Sequence, residues 1–220
     1  MLTYDEVIAQ AGGVAAFQKS AGLVSDGVAG PKTNNAVLRV MLGLKPLSLP
    51  SDDPGPDKIR RPDLDKVYGE FSYTHYPKEK IKENKDKGRI VIDPQWEKEN
   101  IVNKKLWDGQ GMKLHKDVWD ELNFIFEQAA KASGYHPTYT VGFKPRHTLW
   151  NPQKSLSTHS WGCAVDFDCD DNDLGGVDAK GNLSKMRKNP KFAQTFKFWG
   201  FSWGGDFAMK DDMHFSRSKM

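Results

Sequence analysis

Only two cysteines, Cys163 and Cys169, occur in 220 residues. That is too few for a disulfide scaffold, so reduced thiols are expected. No stretch approaches the roughly 20 apolar residues a membrane span requires, so no insertion is expected. The opening MLTYDEVIAQAGG has neither a basic leader nor an apolar run, and no secretory signal is read there. A net charge of +3 is mild; it would favour an anionic polymer without choosing one. What is present is core-forming material: 38% hydrophobic residues, with seven Trp and twelve Phe. A chain of this length can bury one good core, or one larger domain beside a small module.

Three regions are expected: a helical unit over 1–45, a linker and connecting segment over 46–104, and the main domain over 105–220. In the first, VAAFQKSAGL and NNAVLRVMLGL have helical spacing, and SDGVAGPKT between them is a turn with Pro31 placed to open the second helix. This predicts a helical hairpin. KPLSLPSDDPGPDKIRRPD, residues 45–63, has linker composition. The Lys/Glu run around KEKIKENKDKGR reads as a solvated face, and RIVIDPQW as a short strand ending at Pro94. Further on, HKDVWDELNFIFEQAAKASG sets Val118, Leu122, Ile125, Phe126 and Ala129 on one helical face, with Gly134 as its stop. TYTVGF, FSWGGDF and MHFS read as strands, and NPKFAQTFKFWG as a helix capped by Asn189. The mixed order predicts an α+β domain: a small antiparallel sheet with helices.

The stretch STHSWGCAVDFDCDD, residues 157–171, concentrates chemistry. If Cys163–Asp168 is a strand, Cys163, Val165 and Phe167 share the core side, and Ala164, Asp166 and Asp168 the other. The cysteines are then buried small hydrophobes and poor ligands. An EF-hand beginning at Asp166 would need Gly and Glu where Asp171 and Val177 stand, so that loop fails. A looser calcium contact through Asp168, Asp170 or Asp171 stays open. A zinc site needs donors on converging elements, and His159 and Asp166 supply two. His214, with Asp211 three residues before it in KDDMHFS, is the other histidine in a comparable setting.

Two resemblances add to this reading. SxHxxGxAxD is met by Ser157, His159, Gly162, Ala164 and Asp166, and DxxH by Asp211 and His214. Together they resemble the VanY-like zinc D-Ala-D-Ala carboxypeptidase family. The tail FWGFSWGGDFAMKDDMHF is similar to the branch holding phage endolysins and L-alanyl-D-glutamate endopeptidases. The resemblance implies that His159, Asp166 and His214 bind zinc, that Asp211 is the general base where many relatives have Glu, and that Arg146 steadies substrate charge. FQKSAGLVSDGVAGPKT resembles the peptidoglycan-binding module of cell-wall hydrolases, with Asp26, Gly27, Gly30 and Thr33 at its signature positions.

These resemblances imply a zinc metallopeptidase that cuts the peptide stem of peptidoglycan, favouring the L-Ala–D-Glu bond, as a phage lysin. It would be monomeric, made in the cytoplasm of an infected bacterium, and active on the wall after release. The partner would be peptidoglycan, not nucleic acid. The nearest rival is a D-Ala-D-Ala carboxypeptidase or D,D-endopeptidase; a rival of another class is a non-catalytic wall-binding protein. Trp161 and Trp203 are candidates to line a groove, and Asp206 to orient a ligand histidine. His75, His115, His136 and His147 are expected to be surface or structural.

Overall fold

The computed structural model describes residues 1–45 and 61–217, so most of the expected linker lies outside the described residues. The N-terminal unit forms three helices rather than the expected hairpin: α1 (Tyr4–Gln10), α2 (Val14–Ser20) and α3 (Pro31–Met41). Helix α1 is seven residues long and buries only Val7, too little for a visible apolar period. Its signal lies in its cap, where Thr3 and Glu6 form a reciprocal capping box. Val7, Phe17 and Val37 make a small core of their own.

Helix α3 also docks on the main domain. Leu38 joins the main core. The Asn34 side chain donates to the Phe198 carbonyl at 3.1 Å, and Asn35 donates to Glu121 Oε2 at 3.1 Å. Glu121 is fully buried and ion-paired to both Arg39 and Arg217. Removing one partner of such a buried pair typically costs about 3–5 kcal/mol.

In the main domain α4 (Arg61–Tyr68) precedes two antiparallel hairpins. These are β1 (Tyr73–His75) with β2 (Ile90–Ile92), then β3 (Ile101–Lys105) with β4 (Gly111–His115), and α5 (Pro94–Asn100) lies between them. Residues 61–104 are therefore built structure rather than connecting chain. Leu64, Tyr68, Phe71, Ile90, Ile92 and Trp96 are all core. The charged run masks this because the short elements beside it bury only alternate residues: Ile90 and Ile92 point in, Val91 out.

Helix α6 (Lys116–Ser133) is capped by the His115 side chain, which accepts from the Asp117 amide, and ends at Gly134. It packs on α8 (Pro190–Phe198), which follows the short α7 (Lys185–Lys188). Asn189 stands at the start of α8, but its side chain makes no cap; it donates back to the Lys185 carbonyl at 2.8 Å. The four-stranded sheet has the order β5 (Thr140–Val141), β6 (Ala164–Phe167), β8 (His214–Ser216), β7 (Ser202–Trp203), every pair antiparallel. One of its faces is sealed by Phe167 and Phe215 against Phe126, Phe192 and Phe196, with ring centroids 4.6–6.1 Å apart. The fold is α+β, and the opposite side of β6 and β8 is left to polar residues.

Candidate metal centre

Strands β6 and β8 set Asp166 directly across from His214, so both side chains leave the same face. His159 arrives from a 3₁₀ turn, Thr158–Trp161, where the Ser157 hydroxyl accepts from the His159 amide. Gly162 closes that turn in the left-handed region at φ 68. A Cβ there would stand 2.6 Å from the His115 amide nitrogen, so only glycine fits. The backbone carbonyl of Gly142 lies 2.7 Å from His159 Nδ1. A carbonyl can only accept, so Nδ1 carries the proton and Nε2 presents a lone pair.

Three donor atoms converge. His159 Nε2 lies 3.0 Å from Asp166 Oδ1 and 3.2 Å from His214 Nδ1, and His214 Nδ1 lies 2.9 Å from Asp166 Oδ1. Among the described residues this is the one group of His, Cys, Asp or Glu that could hold a metal ion. Burial alone would raise the Asp166 carboxyl, but charge and hydrogen bonds from both histidines hold it well below the usual range. Burial lowers His159, whereas for His214 the hydrogen bond and charge of Asp166 outweigh burial and raise it.

Asp211 and Arg146 flank this group in one cleft of about 960 Å³. The Asp211 backbone is pinned on both sides: it bridges Leu174, and its amide donates to the Gly204 carbonyl at 3.1 Å. A Cβ on Gly204 would lie 2.2 Å from the Asp211 carbonyl oxygen, so this approach requires glycine. Asp211 Oδ1 is buried and has no hydrogen-bond partner among the described residues. Burial pushes the carboxyl up to about 6, with His214 and Arg146 opposing the shift and Asp166 reinforcing it.

Arg146 is nearly buried, 3.5 Å from Asp166 Oδ2 through Nη2, and donates to the Ser157 hydroxyl at 2.5 Å. Its loop is strapped to the 3₁₀ turn, since its amide meets Ser160 Oγ at 3.0 Å and its carbonyl accepts from the Ser157 amide at 2.9 Å. From outside, the segment 88–90 holds the same loop: Arg89 bridges Arg146, and the His147 amide donates to the Gly88 carbonyl at 2.7 Å. The stretch expected to be connecting chain thus braces the loop that carries Arg146.

Other expectations fall elsewhere. Asp168 turns out of the strand at φ 42 and is engaged by the Tyr135 hydroxyl at 2.9 Å and by the amides of Thr138 and Tyr139. Cys163 is buried as expected, but Cys169 lines the cleft. Trp161 is fully buried and donates to Asp65, and Trp203 donates to the Asp212 carbonyl, so neither lines the cleft. Trp150 does, its ring 5.1 Å from the Arg146 guanidinium. Asp206 pairs with Lys197 and orients no histidine; the Gly142 carbonyl has that position for His159. No side-chain pattern announces a backbone carbonyl. Of the four histidines outside the motifs, His115 and His147 are buried and structural.

In the N-terminal unit the signature residues fold their own loop. Gln18 Nε2 donates to Asp26 Oδ1, the Val28 carbonyl and Thr33 Oγ1 at 2.8–3.0 Å, and its Oε1 accepts from the Gly27 amide at 2.9 Å. Gly27 sits at φ 75, and Gly30 is the residue before α3.

Residues 151–217 match the Peptidase_M15_4 family model, described as D-alanyl-D-alanine carboxypeptidase. The matched stretch carries His159, Asp166, Asp211 and His214 but neither Arg146 nor the N-terminal unit. No curated protein and no solved structure matches the chain. The family match and the His–Asp–His group together support a metallopeptidase of peptidoglycan.

Proposed function

We propose that this chain is a zinc peptidase of the peptidoglycan stem, cutting between L-Ala and D-Glu, with His159, Asp166 and His214 as its metal ligands. The observation that supports this most is the donor triangle beside an unpartnered, buried Asp211 carboxylate. Two imidazole nitrogens and one carboxylate oxygen suit zinc better than the all-oxygen shells of calcium or magnesium. Bonds of about 2.0–2.1 Å in a tetrahedron put ligand atoms about 3.3 Å apart, and the three atoms here stand 2.9–3.2 Å apart. Held there, zinc supplies a Lewis acid for the scissile carbonyl and acidifies water.

The chain's own groups complete the chemistry. Asp211 Oδ1 has a lone pair free to take the proton of the attacking water and return it to the leaving amine. Arg146, braced by Ser157 and Trp150, faces the charge that develops on the carbonyl oxygen. The N-terminal unit would hold the wall through the outside of the loop that Gln18 folds, where Val24 and Val28 are exposed. Asp26, Gly27, Gly30 and Thr33 then act by shaping that loop. The chain works as a monomer, released to the wall as a lysin.

A second reading, a D-Ala-D-Ala carboxypeptidase, is favoured by the description of the matching family. Mass spectrometry of products from purified peptidoglycan separates the two. New N-terminal D-Glu supports the first, free D-Ala the second, and no zinc-dependent product of either kind would refute both.

A further inference from the structure

We propose that the pairing of half-buried Arg187 with buried Asp212 is a positioning device for Asp211, an inference that rests on the reading of Asp211 as the base. Asp212 is fully buried and absent from the cleft lining, whereas its two neighbours, Asp211 and Met213, line the cleft. Asp211 therefore faces the donor triangle while its neighbour faces the protein behind it.

What meets Asp212 there is a guanidinium and a hydroxyl. Arg187 Nη2 donates to Oδ1 at 2.8 Å, Arg187 Nε lies 2.7 Å from Oδ2, and the Ser184 hydroxyl donates to Oδ2 at 2.5 Å. The Trp203 indole donates to the Asp212 carbonyl at 2.9 Å, and Arg187 reaches the Gly205 carbonyl at 3.3 Å. Gly176, at φ 78, stands where a Cβ would come within 2.6 Å of Arg187 Nε, so the loop yields space for the guanidinium. These contacts tie the start of α7, the 204–205 turn and the Asp211 backbone into one block.

The pair is poorly explained by stability alone, because an apolar pair of similar volume commonly stabilises a core as well or better. A planar guanidinium hydrogen-bonded to one carboxylate oxygen and close against the other does what an apolar pair cannot: it fixes orientation. Asp211 needs such an outside anchor, since its own Oδ1 makes no hydrogen bond among the described residues that would hold it. Misplacement of a reacting group by about 1 Å can cost roughly a hundredfold in rate.

The test uses the full-length, zinc-loaded protein. Arg187→Lys keeps the charge and loses the planar guanidinium. Its kcat should fall by about 10- to 100-fold with zinc content and KM unchanged. The double variant Arg187→Met/Asp212→Leu leaves no orphaned charge; it should melt no lower than the parent yet show the same loss of kcat. Parental kcat in folded Arg187→Lys would overturn the proposal, and that variant decides alone if the double one does not fold. Asp211→Asn, run alongside, keeps the two readings apart. If it is inactive while Arg187→Lys is normal, the base stands and the clamp is merely structural; if it turns over normally, the base reading fails and the positioning role with it.

Discussion

The N-terminal unit and the metal centre are both marked by short motifs, and they use them in opposite ways. In the N-terminal unit the motif's polar groups satisfy one another: Gln18 is engaged by Asp26, Gly27, Val28 and Thr33. In the metal centre they are assembled and then left wanting. Three donor atoms crowd together, and Asp211 Oδ1 is buried with no partner among the described residues. Buried polar atoms are normally paired, and leaving one unpaired costs about 1–3 kcal/mol. A motif whose groups are spent internally specifies a fold; one that leaves donors unspent at the protein's expense specifies a site.

The comparison breaks most visibly at the ligands. His159→Ala or His214→Ala should remove zinc and activity together, by a factor above about 10³, measured by metal analysis and peptidoglycan turnover. Either variant lysing walls at the parental rate would place the site elsewhere.

The next largest effect is expected from deleting residues 1–44. This strips Arg39 and Asn35 from buried Glu121 and uncovers the Leu38 contact. Losing one partner of a buried ion pair costs about 3–5 kcal/mol, so calorimetry should show the melting point falling on the order of 10 °C. An independent module would leave the melting point of the remainder unchanged and alter only wall binding. Within the unit, Gln18→Leu should cost about 2–3 kcal/mol while leaving zinc content and turnover of a soluble stem peptide untouched.

A subtler effect concerns Asp211 itself. Its folded pKa is raised to about 6 by burial, so the folded state favours the protonated acid. That contribution is complete below about pH 4 and is lost as pH rises through about 6. At pH 7 the ionised carboxylate is a liability, and zinc-free Asp211→Asn should be more stable than the parent, by up to about 3 kcal/mol. Equal denaturation midpoints at pH 7 would show that the carboxylate is solvated.

Much of the fold is legible in the amino-acid sequence. The stripe on α6, the stop at Gly134 and the opening of α3 at Pro31 follow from local periodicity and caps. The residues that form the donor triangle lie 55 positions apart at their extremes, and resemblance, not spacing, joins them. What stays hidden is non-local or backbone-borne. The Gly142 carbonyl that sets the His159 tautomer leaves no mark in a side-chain pattern. Residues 61–104 resemble connecting chain because Lys78, Glu79, Lys80, Lys82 and Glu83 face water while Ile90, Ile92 and Trp96 turn inward. Asp168 misleads because strand alternation does not extend one residue past the end of β6, where the backbone turns to φ 42.

The central claim is that the site divides its carboxylates, one for the metal and one for the proton. Zinc stoichiometry and kcat of Asp166→Asn and Asp211→Asn, measured side by side at neutral pH, test this most directly. The account predicts that Asp211→Asn keeps about one zinc per chain and loses about 10²–10⁴-fold in kcat, whereas Asp166→Asn loses zinc as well as rate. Equal zinc loss in the two variants would contradict it by making Asp211 a ligand, and near-parental kcat in Asp211→Asn would contradict it by removing the base.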